Sequence, residues 1–268
     1  MAVKKKQPVA AVKKPFLTGA ITDENTLRKV LKFFGSMLLI IIMCFIVSTM
    51  MNFGNVILRI AANSAVVLLV LFILYSQGQS HGAEATARGE ILYQRKGKGQ
   101  EVTESERRLS YHPLKGYITA LIGMLPFIIP ALILAITAEK QMTSAGTLPG
   151  WTSSLLRRSD IGGALVSYTE GDPLRTSDII RMIVRVTIMP FINMAGSGSK
   201  DLLLTLERIS PLLLTLPVIA YGTGFQFGKN VRTKIHTQIE ENRKIRKKRE
   251  NKARKARRKA AAGPEQLN

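Results

Sequence analysis

The chain has 268 residues, of which 46% are hydrophobic, and a formal net charge of +21. Its apolar residues are gathered into long blocks and its charges into the segments between them. This segregation excludes an ordinary soluble domain and is typical of a multi-pass membrane protein. The single cysteine, Cys44, excludes an intrachain disulfide.

The longest apolar stretch of the chain predicts a helical hairpin through a bilayer. Its first run, residues 33–53, has no charged residue, and its second run, residues 56–75, has only Arg59. At about 1.5 Å per residue, each run is long enough to cross a hydrocarbon layer of about 30 Å. The connection between them is so short that we expect two antiparallel neighbouring spans.

Polar side chains form a stripe along the second span. Asn55, Arg59 and Asn63 follow one another at intervals of four residues, which places them on one face of a helix. A charge inside a bilayer is costly, so we expect this stripe to contact protein or water. Three interpretations stay open: Arg59 extends to the outer headgroups, the stripe packs helices together, or it contacts a ligand or ion.

The N-terminal residues 1–32 form a basic arm. Residues 1–22 mix Lys, Pro, Ala and Val without periodicity and predict a mobile segment. Thr22 or Asp23 can cap a short helix that leads into the first span. We expect this arm on the cytoplasmic side.

The polar residues 76–116 predict a cytoplasmic connector between the second and third spans. A helical patch is expected near 83–94, and Thr103 with Glu106 has the pattern of a capping box that starts a short helix. The connector is too small and too polar to form a domain of its own. We interpret it as an ordered loop that clasps a partner.

Two further uncharged runs predict the third and fourth spans, at residues 117–138 and 209–227. Pro126 and Pro130 are expected to kink the third span, because proline leaves backbone carbonyl groups without their usual partners. After the fourth span, the small-residue spacing of Gly224 and Gly228 predicts a close approach to another helix.

Residues 139–208 between these spans are broken by glycines and are expected outside the cytoplasm. Within them, residues 179–194 predict an amphipathic helix that lies along the outer interface or re-enters the membrane partway. Arg181 and Arg185 stand one turn apart on this helix and are candidate interfacial arginines. Asp178 is close enough in sequence to pair with Arg181.

The charge distribution fixes the predicted topology. Residues 1–32 contain eight basic and two acidic residues, and residues 228–268 contain fifteen basic and four acidic residues. Five spans would place one of these basic ends outside, against the positive-inside rule, so we expect four. The fold class is therefore an all-α integral membrane protein, expected in a bacterial plasma membrane with both termini cytoplasmic.

The tail predicts a basic cytoplasmic helix. Its candidate contacts with an anionic surface are Lys244, Arg246, Lys247, Lys248, Arg249, Arg254, Lys255, Arg257 and Arg258. Such a helix attracts anionic lipid or RNA phosphates, and the lack of stacking aromatic residues argues against sequence-specific RNA recognition. The alternative is a solvated run of charge that only orients the protein in the membrane.

The sequence does not carry a recognisable catalytic or metal-binding motif. His81, His112 and His236 all lie outside the predicted spans, and HExxH, paired-cysteine and GxSxG patterns are missing. We therefore expect a non-enzymatic subunit or scaffold of a membrane complex, without cofactor or metal. Its expected partners are membrane lipids, another membrane protein and, through the tail, RNA or the ribosome.

Two other functional classes stay open. One is a component of a transporter for an anionic substrate, with Arg59, Arg181 and Arg185 as substrate contacts and the prolines opening a path. The other is an enzyme whose residues follow no known motif. Identification of a co-purifying protein distinguishes a subunit from a self-contained carrier.

Overall fold

The computed structural model describes residues 12–51, 53–138, 154–165, 176–196 and 200–261, and these ranges contain helices and irregular segments but no strand. The α-helices considered below are α1 (Thr26–Met50), α2 (Val56–Gly97), α3 (Glu104–Arg108), α4 (Lys115–Thr137), α5 (Thr176–Thr187), α6 (Met189–Ala195), α7 (Lys200–Leu213) and α8 (Thr215–Ala261), and a 3-10 turn covers Leu155–Arg157.

Four stretches of the described chain are long and apolar enough to cross a membrane. They are α1, α2, α4 and the stretch Asp201–Arg258, which includes most of α7 and α8. This confirms the all-helical fold class and the prediction of four candidate spans.

Two of these helices extend far beyond the predicted spans. The helix α2 has 42 residues, so the second span and the helical patch near 83–94 are one continuous helix. The helix α8 has 47 residues and likewise joins the end of the fourth span to the basic tail. The helix α2 therefore does not end at residue 75, where the boundary between span and connector was predicted.

Glycines bring α2 and α8 into backbone contact. A Cβ added at Gly82 would come within 3.0 Å of the Phe225 backbone oxygen, and one added at Gly228 would come within 3.0 Å of the backbone of Gly82. The predicted small-residue pair, Gly224 and Gly228, thus lies in a helix contact. Its counterpart on α2, Gly78 and Gly82, has the same spacing of four residues.

The segment 176–196 packs into the helical bundle. Both Val184 and Ile188 are 1% exposed, α5 contacts the long helices α1 and α4, and α6 contacts α1 and α2. The predicted single helix 179–194 is divided at Ile188, because Pro190 occupies the first turn of α6 and cannot continue a helix from α5. The side-chain amide of Asn193 donates to the Ser48 carbonyl oxygen at 2.6 Å and connects α6 to α1.

Prolines act differently in the third and fourth candidate spans. Pro126 and Pro130 lie inside α4, and the helix continues through both. The predicted fourth span, 209–227, instead consists of the end of α7 and the start of α8, which meet at Leu214. Pro217 falls in the first turn of α8, where a missing backbone N–H is tolerated.

The described part of the N-terminal arm packs against the protein, in contrast to the predicted mobile segment. The Leu17 amide donates to the Gly89 carbonyl oxygen at 3.1 Å, and the Gly19 amide donates to the Tyr111 carbonyl oxygen at 2.9 Å. A Cβ at Gly89 would come within 3.0 Å of the Leu17 backbone oxygen. The absence of a side chain at Gly89 therefore lets this segment lie directly on α2.

Candidate functional site

A buried cluster of charges joins α5 to α7. Glu207 is 2% exposed and accepts hydrogen bonds from Arg181 Nε at 3.2 Å and from Arg185 Nε at 2.8 Å. A second nitrogen of Arg185, Nη2, lies 2.6 Å from Glu207 Oε1. One carboxylate thus binds two guanidinium groups, and burial strengthens this attraction because water does not screen it.

The two candidate interfacial arginines therefore contact this carboxylate. Arg181 is 4% exposed, whereas the side chain of Arg185 keeps 29% of its surface exposed. The predicted neighbour Asp178 is present, with its Oδ1 atom 3.8 Å from Arg181 Nη1. The two carboxylates, Glu207 and Asp178, together balance the formal charges of Arg181 and Arg185.

The predicted polar stripe on α2 is only partly assembled. Asn55 is exposed and caps α2, accepting hydrogen bonds from the Ile57 and Leu58 amides at 2.9 and 3.4 Å. Asn63 is fully buried and donates to the Arg59 carbonyl oxygen at 2.9 Å. The Arg59 guanidinium lies against Gly196, where a Cβ would come within 3.0 Å of it. Arg59 and Asn63 thus face protein, and Asn55 does not join them.

Two atoms of this stripe remain available for hydrogen bonding. The Nε atom of Arg59 and the Oδ1 atom of Asn63 are buried and have no hydrogen-bond partner among the residues that the structure describes. Buried polar atoms are costly when unsatisfied, so these two are candidate positions for a water molecule or a polar partner.

The part of the α2 and α8 pair beyond residue 82 contains a second buried carboxylate. Glu90 on α2 is 5% exposed, and its Oε2 atom accepts a hydrogen bond from Arg232 Nε at 3.0 Å. The Nε2 atom of His236 lies 2.8 Å from Glu90 Oε1. These contacts couple the two helices beyond the glycine contact and fix their register.

A third charged cluster anchors the start of α1 to the start of α4. The side chain of Asp23 is fully buried and lies 2.6 Å from Lys115 Nζ, and it also pairs with Lys29. Burial alone would raise the pKa of the Asp23 carboxyl, but hydrogen bonds from Lys115 and Lys29 outweigh burial and lower that pKa. Asp23 therefore stays ionised.

The nine candidate basic residues of the tail lie on the last part of α8. Each of the nine candidate contacts is exposed, and residues 242–258 as a whole are exposed on every face of the helix. Within the described part of the tail, Arg246 pairs with Glu250 at 2.8 Å. The structure thus brings the nine residues together along one helix that extends past the end of α2.

Sequence reasoning missed Glu207 and Glu90. Glu207 interrupts the otherwise apolar run 202–206 and 209–214 next to Arg208, and a carboxylate in such a run requires a cationic partner. That signal, read together with Arg181 and Arg185, points to the cluster. Glu90 has no comparable signal, because it lies in a polar stretch where an exposed position is the ordinary expectation.

No protein-family model, no curated protein and no solved structure matches this chain. Among the described residues, no group of three or more His, Cys, Asp and Glu side chains is arranged to hold a metal ion.

Proposed function

We propose that the protein is a non-enzymatic subunit or scaffold of a membrane complex that presents the basic end of α8 to an anionic partner in the cytoplasm. In this proposal four helices span a bacterial plasma membrane, both termini are cytoplasmic, and α5 and α6 re-enter the bundle from the outer side. A second membrane protein completes the complex.

The observation that carries this proposal is the projection of α8 beyond the other segments that the structure describes. The helix α2 ends at Gly97, and the last described contacts of α8 with other segments include the hydrogen bond from the Val12 amide to Thr237 Oγ1 at 3.1 Å. Beyond this point, residues 243–258 contain eleven basic residues and one acidic residue, and all are exposed. A helix with this charge on all faces is suited to a polyanionic surface.

The continuity of α8 favours RNA over the protein's own membrane as that surface. At about 1.5 Å per residue, a straight helix carries Arg243 about 24 Å and Arg258 about 46 Å beyond Phe227, where the fourth span is predicted to end. Charge is screened over about 8 Å at physiological ionic strength, so the lipid headgroups attract this segment little unless the helix bends. An RNA surface in the cytoplasm, such as that of a ribosome, lies within its reach.

The first test is binding of the full-length protein to RNA. The detergent-purified chain should bind single-stranded RNA with an affinity that falls steeply as salt rises and depends little on RNA sequence, because counterion release drives the association. Replacing Lys244, Lys247, Lys248, Arg254 and Arg257 by Gln should reduce the slope of log affinity against log salt by about 3 to 4, at roughly 0.7 per phosphate contact. Fluorescence anisotropy at several salt concentrations measures this slope.

A control variant neutralises four basic residues elsewhere on the cytoplasmic side, one fewer than the tail variant. Replacing Lys13, Lys14, Lys96 and Lys98 by Gln should leave most of the slope in place. Equal reductions of this slope in the two variants would contradict the proposal. Binding to anionic vesicles that disappears in the tail variant, with RNA binding unchanged, would assign the tail to lipid instead.

A second test concerns topology. Reporter proteins fused at Gly99 and after Asn268 should report the cytoplasm, and one fused near Gly146 should report the outside, because the basic segments are retained inside. Alkaline phosphatase and green fluorescent protein fusions provide the two readouts. A tail reporter on the outside would refute four spans and make the segment 179–194 a membrane crossing.

The alternative function, a component of a transporter for an anionic substrate, receives less support. Two of its three candidate substrate contacts, Arg181 and Arg185, bind Glu207. An anionic substrate would have to displace this carboxylate from both arginines. Arg59 keeps a buried Nε atom without a hydrogen-bond partner among the described residues, and it is the remaining candidate for that role.

A further inference from the structure

A cavity of about 460 Å³ lies at the end of the bundle where α1 begins. Its walls come from the start of α1, the middle of α2, the start of α4 and the part of α8 near Tyr221 and Phe225. Sites that bind small molecules commonly measure about 300–1,000 Å³, so this cavity is large enough for a ligand. Neither the polar stripe nor the basic end of α8 contributes to it.

The basic side chains in the lining of this cavity outnumber the acidic ones. They are Arg28, Lys29, Lys32, Arg88 and Lys115, and the one carboxylate that lines it is Glu84. Asp23, buried behind Lys29 and Lys115, supplies a second negative charge. Three positive charges therefore remain unbalanced, and a concave site concentrates their field on its contents.

The lining residues divide into those that hold the structure and those that are available to a ligand. Lys115 Nζ contacts Asp23 at 2.6 Å and donates to the Arg108 carbonyl oxygen at 2.7 Å, so its hydrogen bonds are used internally. Arg88 pairs with Glu84 through one of its nitrogens. Arg28 and Lys32 are exposed at the cavity and form no ion pair with any other described residue.

The floor of the cavity is aromatic. Phe33, Tyr221 and Phe225 line it and are each 5% exposed. The hydroxyl of Tyr221 lies 2.8 Å from His81 Nδ1, which keeps its polar group satisfied. Phe33 begins the first predicted span, so the basic rim lies at the level where the membrane is expected to end. The cavity thus offers cations to a headgroup and an apolar surface to the group attached to it.

We propose that this cavity binds the phosphate group of an anionic ligand. A phosphate presents several oxygens in different directions, which suits contacts from Arg28 and Lys32 on α1 and from Arg88 on α2 better than a planar carboxylate does. The negative charge of the phosphate offsets the excess positive charge of the lining. The phosphate belongs either to a lipid entering from the membrane boundary or to a soluble phosphate compound entering from the cytoplasm.

The test uses the full-length, delipidated chain in detergent, with thermal unfolding as the readout. Inorganic phosphate and, separately, phosphatidic acid in mixed micelles are titrated, with phosphatidylcholine micelles as the reference without net charge. A ligand that binds the folded state raises the melting temperature with concentration, which gives an apparent Kd. Replacing Arg28 and Lys32 together by Gln should weaken this Kd by about thirtyfold, as expected for the loss of two cationic contacts.

Two further variants make the test specific. Replacing Lys96 and Lys98 by Gln changes the charge equally at exposed positions outside the cavity, and it should leave the Kd within about twofold. Replacing Glu84 by Gln removes the lining carboxylate and frees Arg88, so it should tighten binding by about threefold. The Arg28 with Lys32 variant should bind more weakly and the Glu84 variant more tightly. A general loss of stability cannot change the Kd in both directions.

Each outcome decides between the sources or against the site. A shift with phosphatidic acid alone supports the proposal and identifies a lipid phosphate, and a shift with inorganic phosphate supports it and identifies a soluble compound. Equal affinities in the Arg28 with Lys32 variant and the Lys96 with Lys98 variant would overturn the proposal, as would the absence of any shift for both probes. RNA binding by the tail is measured separately, so failure of one proposal leaves the other standing.

Discussion

Replacement of Glu207 by Gln should lower the free energy of unfolding by about 3 to 5 kcal/mol, the usual cost of removing one partner from a buried ion pair. Gln keeps the size of the side chain but removes the charge that Arg181 and Arg185 share. Arg181 then stays buried at 4% exposure without the carboxylate whose two oxygens lie 3.1 and 3.2 Å from its Nε atom. The measurement is thermal unfolding of the detergent-purified protein against the unchanged chain.

Glu250 provides the matched control for this substitution. It also pairs with an arginine, Arg246 at 2.8 Å, but both side chains are at least 60% exposed. Replacing Glu250 by Gln should therefore lower the free energy of unfolding by less than about 1 kcal/mol. In addition, the Arg185→Gln and Glu207→Gln variants combined should cost less than the sum of the two alone, because each removes the same interaction. Strict additivity would contradict a shared ion pair.

The apolar runs predicted the number of candidate spans because hydrophobic length alone determines which segments can cross a bilayer. Residues 33–53, 56–75 and 117–138 each correspond to the apolar part of one helix in the structure. The sequence did not reveal that α2 continues past residue 75. Its continuation has few apolar residues to signal a packed helix, and Gly78 and Gly82 let α8 pack directly upon it.

Pairings between distant residues account for most of what the sequence left open. The predicted pair of Asp178 and Arg181 is local, and the two side chains do lie 3.8 Å apart. The stronger partner of Arg181 is Glu207, which is 26 positions away. Charge patterns predict partners only within about one helical turn, whereas longer pairings depend on how the helices pack. The same limit applies to Glu90 with Arg232 and His236.

In the polar stripe, by contrast, the regular spacing predicted a contact residue that the structure does not bring to the others. The spacing of Asn55, Arg59 and Asn63 would place all three on one face of a helix. Helix α2 begins at Val56, however, so Asn55 is its cap and uses its side chain on the Ile57 and Leu58 amides. Capping satisfies the first free N–H groups of the helix and removes Asn55 from the buried contact.

Replacement of Gly82 by Ala should separate α2 from α8 and lower the free energy of unfolding by about 1 to 3 kcal/mol, the range for overpacking a close contact. The added methyl group meets the Phe225 backbone oxygen at less than 3.0 Å, and a helix backbone cannot turn aside as a flexible side chain does. The helices must move apart, which also strains the contacts of Glu90 with Arg232 and His236. Thermal unfolding measures the first effect. Spin labels attached at Tyr93→Cys and Ile239→Cys, with Cys44 replaced by Ala, measure the second as a longer or broader distance distribution.

Gly35 in α1 supplies the control, because a Cβ there meets nothing within 4 Å. The same Gly to Ala change at this position removes a flexible residue from a helix interior and should stabilise the protein by up to about 1 kcal/mol. It should also leave the label distance unchanged. The two substitutions are chemically identical, so a difference in sign between them isolates the backbone contact of α2 with α8. If Gly82→Ala stabilised the protein as Gly35→Ala does and kept the label distance, the close approach of these two helices would be refuted, together with the rigid path by which α8 carries its basic end away from the spans.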